Sequence, residues 1–200
     1  VEGPGQLRIL PASSGIQELT HLSRDQKMSM LYELDQLLDT VDILLIDSAA
    51  GISANVLDFS VSAQEIMVVV TPEPTSITDA YALMKVLSTK YAEKTCRLIV
   101  NQVASEQEGR EIFRQLNLVA QKFLAIRMEY FGCIAQDENL IRCVKQQRIL
   151  SQAHPDSAAT HGFRNLARRT KALPAIHAPQ GDSQLFWGHI FADGVVSSKS

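Results

Sequence analysis

Three polar residues stand directly after apolar runs, and each is of a type that could serve a phosphorylated ligand. Asp47 closes VDILLID, Glu73 lies in the break Pro72-Glu73-Pro74 after IMVVVT, and Asn101 closes RLIVN. A carboxylate in such a place can act on Mg²⁺ or its water shell. A carboxamide offers a base edge one donor and one acceptor together. After Asp47 come Ser48, Ala49, Ala50 and Gly51, a loop of little bulk whose backbone N–H groups could approach a phosphate. The functional reading is a Walker B acid, Asp47, and a switch loop with Gly51 near the γ-phosphate of a nucleoside triphosphate. An ordinary central strand ending in a turn, and an Asn serving as a cap, account for the same residues and stay open at this point. The three strand ends fall on one edge of a parallel sheet, which favours a nucleotide site.

The elements that must carry these residues are legible as alternating strands and helices. Val41 to Ile46, with only Asp42 near its start, is apolar on successive and not alternate positions, as suits a strand buried on both faces, read over Asp42 to Asp47. Ile66 to Thr71, Arg97 to Asn101 and Tyr130 to Ala135 read as further buried strands, and Leu7 to Leu10 as a short one. Between them the spacing predicts helix faces at Met28, Leu31, Leu34, Leu38 and Val41, at Ile77, Tyr81, Met84, Leu87 and Tyr91, and at Ile112, Leu116, Val119 and Phe123. A short helix is expected near Val56 to Phe59, and two more near Glu138 to Gln147 and Ser157 to Lys171. Thr75 or Ser76 is expected to cap the helix after Pro74, with Asp79 in capping-box register to Ser76. Such alternation predicts right-handed crossovers and a doubly wound, mostly parallel α/β sheet.

Composition narrows the classes. The 200 residues carry net charge −3 and are 46% hydrophobic, enough for one full core and without a basic field that would point to nucleic acid. No apolar run approaches the roughly 20 residues that cross a bilayer. VEGPGQLRIL lacks the features of a signal peptide. Cys96, Cys133 and Cys143 are widely spaced, form no zinc pattern, and read as free thiols of a reducing cytoplasm. The five His residues match no metal-ligand spacing. The phosphate-loop motif G-x-x-x-x-G-K-[ST] does not occur, and neither does any Gly-Lys pair. The dinucleotide pattern G-x-G-x-x-G after a first strand is also missing, which counts against a dehydrogenase.

DILLIDSAAGISANVLDF, VVVTPEPTSITDAYALMK and LIVNQVASEQEG resemble the MinD/ParA class of ATPases, and more closely its flagellar-number (FlhG/FleN) branch. LRILPASSGIQEL and YFGCIAQDENLIRCVKQQ resemble the same branch in matching order. The likeness runs from Leu7 to Arg169, and TPEPTSITDAY is its most specific part. It implies a P-loop NTPase-like fold truncated at the N-terminus. Asp47 would be the switch II acid reaching Mg²⁺ through water, and Gly51 the switch glycine. Asn101 would read adenine, with Ile134, Ala135 and Asp137 in the loop beside the base; relatives often have Pro where this chain has Ala135. The resemblance also implies ATP and Mg²⁺ as cofactors of a version complete with its phosphate loop, and an ATP-dependent homodimer that hydrolyses slowly. Implied partners are the signal-recognition-like GTPase of flagellar placement and, in polar flagellates, the σ54-dependent flagellar activator.

The family's deviant Walker A loop and switch I aspartate would precede Val1. The expectation is therefore a C-terminal portion of a longer protein, inactive alone, over residues 1–171. The alternative is a non-catalytic, partner-binding module or pseudo-ATPase. Residues 172–200 read as a linker and tail. Within it, 183–191 places Leu185, Phe186, Trp187, Ile190 and Phe191 close together, and Phe186/Ile190 and Trp187/Phe191 are i,i+4 pairs. Relatives carry a membrane-binding amphipathic helix there, so peripheral contact with the inner face of the cell membrane or the cell pole is one expectation. Packing of Trp187 back on the domain is the other. No direct contact with nucleic acid is expected.

Overall fold

A computed structural model describes residues 1–9, 41–91, 95–124 and 126–174. They belong to two compact units, one holding the described residues up to Ile46 and the other those from Asp47 onward. The predicted helix over 24–40 and the tail segment 183–191 lie outside the described residues. In the first unit, a 3₁₀ turn at Pro4–Gln6 is closed by an antiparallel bridge between Glu2 and Arg8, with Gly3 N donating to Leu7 O at 2.7 Å. The strand expected at Leu7 to Leu10 is thus a single bridge over its described residues.

The second unit runs α1 (Ala54–Ser62), β1 (Met67–Val70), α2 (Pro74–Tyr91), β2 (Thr95–Val103), α3 (Glu106–Phe123), β3 (Arg127–Ala135), α4 (Glu138–Lys145), α5 (Leu150–Ala153) and α6 (Ala158–Lys171). The three strands are parallel in the order β1-β2-β3. Each step moves the same way across the sheet, so right-handed crossovers put α2 and α3 on one face. That face buries Val68, Val70, Met84, Leu98, Val100, Leu116 and Met128 in one core. The other face carries a smaller core of Ile134, Cys143, Leu150 and Ala159, against which Leu166 of α6 packs. A sheet with a core on each face is the doubly wound arrangement that the alternation predicts.

Two bulges preserve that sidedness. Tyr130 pairs with Leu98 and Gly132 with Ile99, leaving Phe131 as the extra residue. Tyr130 and Cys133 consequently stay on one face although three positions apart. Arg169 of α6 donates to the bulge carbonyls, Phe131 O at 2.7 Å and Tyr130 O at 3.3 Å. The second bulge puts Gln102 between Asn101, paired with Ile134, and Val103, paired with Ala135. Gln102 has φ +60°, which is left-handed backbone. On the α6 side of the sheet, Arg97 pairs with Glu65 at 2.9 Å and with Glu129, and stacks 5.7 Å from the Phe131 ring.

Three expectations need correcting. Val41 to Ile46 forms no strand, and Leu45 is 73% exposed. An apolar run becomes a strand only where a neighbour supplies its ladder, and no described residue pairs with this one. At the start of α2, neither Thr75 nor Ser76 is a cap: helix begins at Pro74, a position that suits proline's fixed φ and missing N–H, and both residues lie inside it. Ser76 Oγ instead accepts from Thr71 N at 3.0 Å, tying the helix back to the end of β1. On α3 the buried stripe is Gly109, Leu116 and Ala120, so Val119 and Phe123 turn outward. Gly109 sets this rotation, because a Cβ there would come within 3.1 Å of both Cys133 Cβ and Tyr130 OH.

Candidate functional site

The carboxyl ends of β2 and β3 meet in a small polar cluster. Asn101 and Ile134 are register partners, and Gln136 N donates to Val103 O at 2.8 Å, fastening the loop after β3 to β2. The Gln102 bulge then acts on Asn101 directly. Its N–H donates to Asn101 Oδ1 at 2.9 Å, which orients the carboxamide. No hydrogen bond engages Asn101 Nδ2 among the described residues, so the amide retains a donor for a ligand.

Four of the predicted site residues are thereby brought together: Asn101, Ile134, Ala135 and Asp137. Their side chains do unequal jobs. Ile134 is buried in the smaller core, so any contact it makes with a ligand falls to its backbone. Ala135 is half-buried beside Val103. Asp137 caps α4, with Oδ1 accepting from Asn139 N at 2.9 Å, and its Oδ2 accepts from Ala159 N at 3.1 Å in the first turn of α6. One carboxylate thus serves two helix N-termini, where the helix dipoles also favour negative charge.

These N–H donors, that of Ala159 foremost, hold the Asp137 carboxyl below its ordinary value against an opposing desolvation. A lowered folded pKa means stability that is present above the unfolded pKa and lost as pH falls through the folded one. Urea midpoints of the chain should therefore drop on acidification below the ordinary carboxylate range. Asp137→Asn keeps an oxygen for one N–H but sets its amide nitrogen against the other, so it should be less stable near neutral pH by about 1 kcal/mol, the scale of an unsatisfied donor, and should lose part of that acid dependence. An identical pH profile in the two proteins would separate Asp137 from the acid limb.

Asp47 and Gly51 lie in the exposed loop that precedes α1. Gly51 has φ +103° and open space around it, so backbone conformation rather than crowding calls for glycine. No hydrogen bond or ladder joins Asp47 or Gly51 to the Asn101 cluster among the described residues. Neither is there, among those residues, a group of three or more His, Cys, Asp or Glu side chains that could hold a metal ion. A lone exposed carboxylate fits an ion held mainly by phosphate oxygens and water rather than by a protein cage. No described helix is long and apolar enough to cross a membrane.

Sequence reasoning missed two supports of this region. Ser105-x-x-Glu108 was a visible capping signal for α3: Ser105 Oγ accepts from Glu108 N at 3.2 Å, while Glu108 Oε2 accepts from Ala104 N at 2.6 Å. Gly132 in the middle of a strand was a signal for the first bulge. Gln102 carried no such signal, since glutamine is not a residue that left-handed backbone selects.

No protein-family model matches the chain. It is 39% identical over 184 residues to "Antiactivator FleN" of Pseudomonas aeruginosa, covering 92% of this chain and 66% of that protein. With "Flagellum site-determining protein YlxH" of Helicobacter pylori it shares 31% over 165 residues, covering 82% and 55%. "Septum site-determining protein MinD" of Bacillus subtilis is 25% identical over 163 residues. Among solved structures, the MinD cell division protein of Aquifex aeolicus has a TM-score of 0.57 at 21% identity, covering 79% of this chain and 64% of that one, a likeness of fold. The chain spans 66% of the FleN relative and 55% of the YlxH relative.

Proposed function

Because the chain belongs to the flagellar-number (FlhG/FleN) branch of the MinD/ParA-like ATPases, we propose that it acts in a regulatory ATPase controlling flagellar number and placement. The observation that carries this reading is the identity to two flagellar relatives along most of the chain. In it, an ATP-dependent homodimer is the switched state. Asn101 reads the adenine edge, with the backbone of Ile134 to Asp137 beside the base. Asp47 acts through water on Mg²⁺, and Gly51 lies at the γ-phosphate side. The partners are the signal-recognition-like GTPase of flagellar placement and a σ54-dependent flagellar activator. The protein works in the cytoplasm, and Leu185, Phe186, Trp187, Ile190 and Phe191 give it peripheral contact with the membrane. ATP and Mg²⁺ serve the version that carries a phosphate loop.

A second reading is a non-catalytic, partner-binding module or pseudo-ATPase, in which Asp47 has no chemical role. Flagella counted by electron microscopy separate the two. Deleting the gene should change the number or position of flagella, and an Asp47→Ala strain should resemble the deletion. A deletion strain with normal flagella would overturn the flagellar assignment. An altered deletion strain beside a normal Asp47→Ala strain would favour the non-catalytic module.

A further inference from the structure

The outer face of α4 has no use in the site just described, and it exposes aliphatic side chains. Ile141 is 51% exposed, Val144 is 67% exposed, and Ile149, just past the helix, is 44% exposed. Ile141, Val144 and Lys145 are spaced three and four apart and share one side of the helix, opposite the buried Cys143. The helix is firmly held. Asp137 caps its start, and its end closes with Gln147 at φ +53° and Arg148 N donating to Cys143 O at 2.9 Å. That closure turns Arg148 back toward the last turn.

Charge is as uneven as the apolar exposure. From Asn139 to His154 the chain carries Arg142, Lys145 and Arg148 and no carboxylate, although the whole protein has net charge −3. Arg142 is met by Glu138 at 3.0 Å. Lys145 and Arg148 have no carboxylate partner among the described residues. Three exposed aliphatic side chains flanked by two unneutralised cations match an amphipathic segment that presents aliphatic residues and carboxylates together. A bilayer is a poorer fit, because the patch has no aromatic residue and little apolar area.

We propose that Ile141, Val144 and Ile149, with Lys145 and Arg148, form a docking surface for a short acidic, amphipathic segment of a partner protein. The probe is a fluorescein-labelled synthetic helical peptide with Leu at alternating three- and four-residue spacing and Glu between. Its anisotropy is followed as the chain is added. Binding should weaken by about tenfold or more in Val144→Asp and in the double variant Lys145→Glu/Arg148→Glu. The double variant should also show a shallower dependence on salt. All these positions are exposed, so circular dichroism and the thermal midpoint should match the parent. The proposal is overturned by no binding up to about 1 mM, by equal binding of both variants, or by equal binding of a scrambled peptide of the same composition. It is likewise overturned if sedimentation shows the patch joining two copies of the chain, or if the same variants abolish binding to phosphatidylglycerol vesicles while peptide binding persists.

Discussion

Asp47→Ala should lower Mg-ATP hydrolysis by about 100-fold or more in the protein carrying its phosphate-loop segment, while leaving the thermal midpoint unchanged. The two halves of that expectation rest on different observations. Asp47 is exposed and sits in a loop, so its loss removes no core packing and no described hydrogen bond. In the proposed reaction its carboxylate would hold Mg²⁺ through water, and the bound ion would supply charge neutralisation at the transferred phosphoryl group. An exposed group whose removal costs rate but not stability is the mark of a chemical role. Turnover that survives the substitution would remove Asp47 from the mechanism. A large fall in midpoint would make it structural.

The largest stability effects should come from the two glycines where α6 meets β3. A Cβ at Gly162 would stand 2.9 Å from Cys133 O and from Ile134 Cδ1, and 3.3 Å from Ile134 Cα. Gly162→Ala sets two effects against each other. Helix propensity favours alanine by about 1 kcal/mol. The clash is with strand backbone, which cannot rotate aside, and overpacking of this kind costs about 1–3 kcal/mol. The clash wins, and the midpoint falls. Gly132→Val is worse. Its φ of +146° is a conformation that L residues rarely adopt, and its Cβ would approach Leu166 Cδ2 to 2.9 Å. Both substitutions lever α6 off the bulge that Arg169 holds. A fall in thermal midpoint of several degrees is expected for Gly162→Ala and a larger one for Gly132→Val. Unchanged midpoints would mean that the contact between α6 and β3 is loose.

Much of this architecture is legible from residue types. Ile66 to Thr71 and Arg97 to Asn101 read as strands because parallel strands buried on both faces leave unbroken apolar runs. The Glu138 and Ser157 helices read correctly because polar caps precede their periodic faces. What failed did so for nonlocal reasons. Val41 to Ile46 has the composition of a strand, but composition supplies no ladder partner. Ser76 has the spacing of a cap, but Pro74 starts the helix earlier and Thr71 takes the hydroxyl. On the site side, Asn101 was visible at a strand end. The bulge that turns its amide was not, because it depends on a register shift between β2 and β3. Asp137 was visible as a polar residue after a strand, while its bond to Ala159 spans 22 positions and cannot be read from local spacing.

Calorimetric titration of Mg-ATP, and of Mg-triphosphate, into the phosphate-loop-bearing protein and its Asn101→Ala variant separates base reading by Asn101 from phosphate binding. The parent should bind ATP with micromolar affinity and the variant at least about tenfold more weakly, with triphosphate affinity nearly the same in both. Equal losses for the two ligands, or no loss at all, would contradict the claim that the Asn101 cluster at the ends of β2 and β3 reads the base.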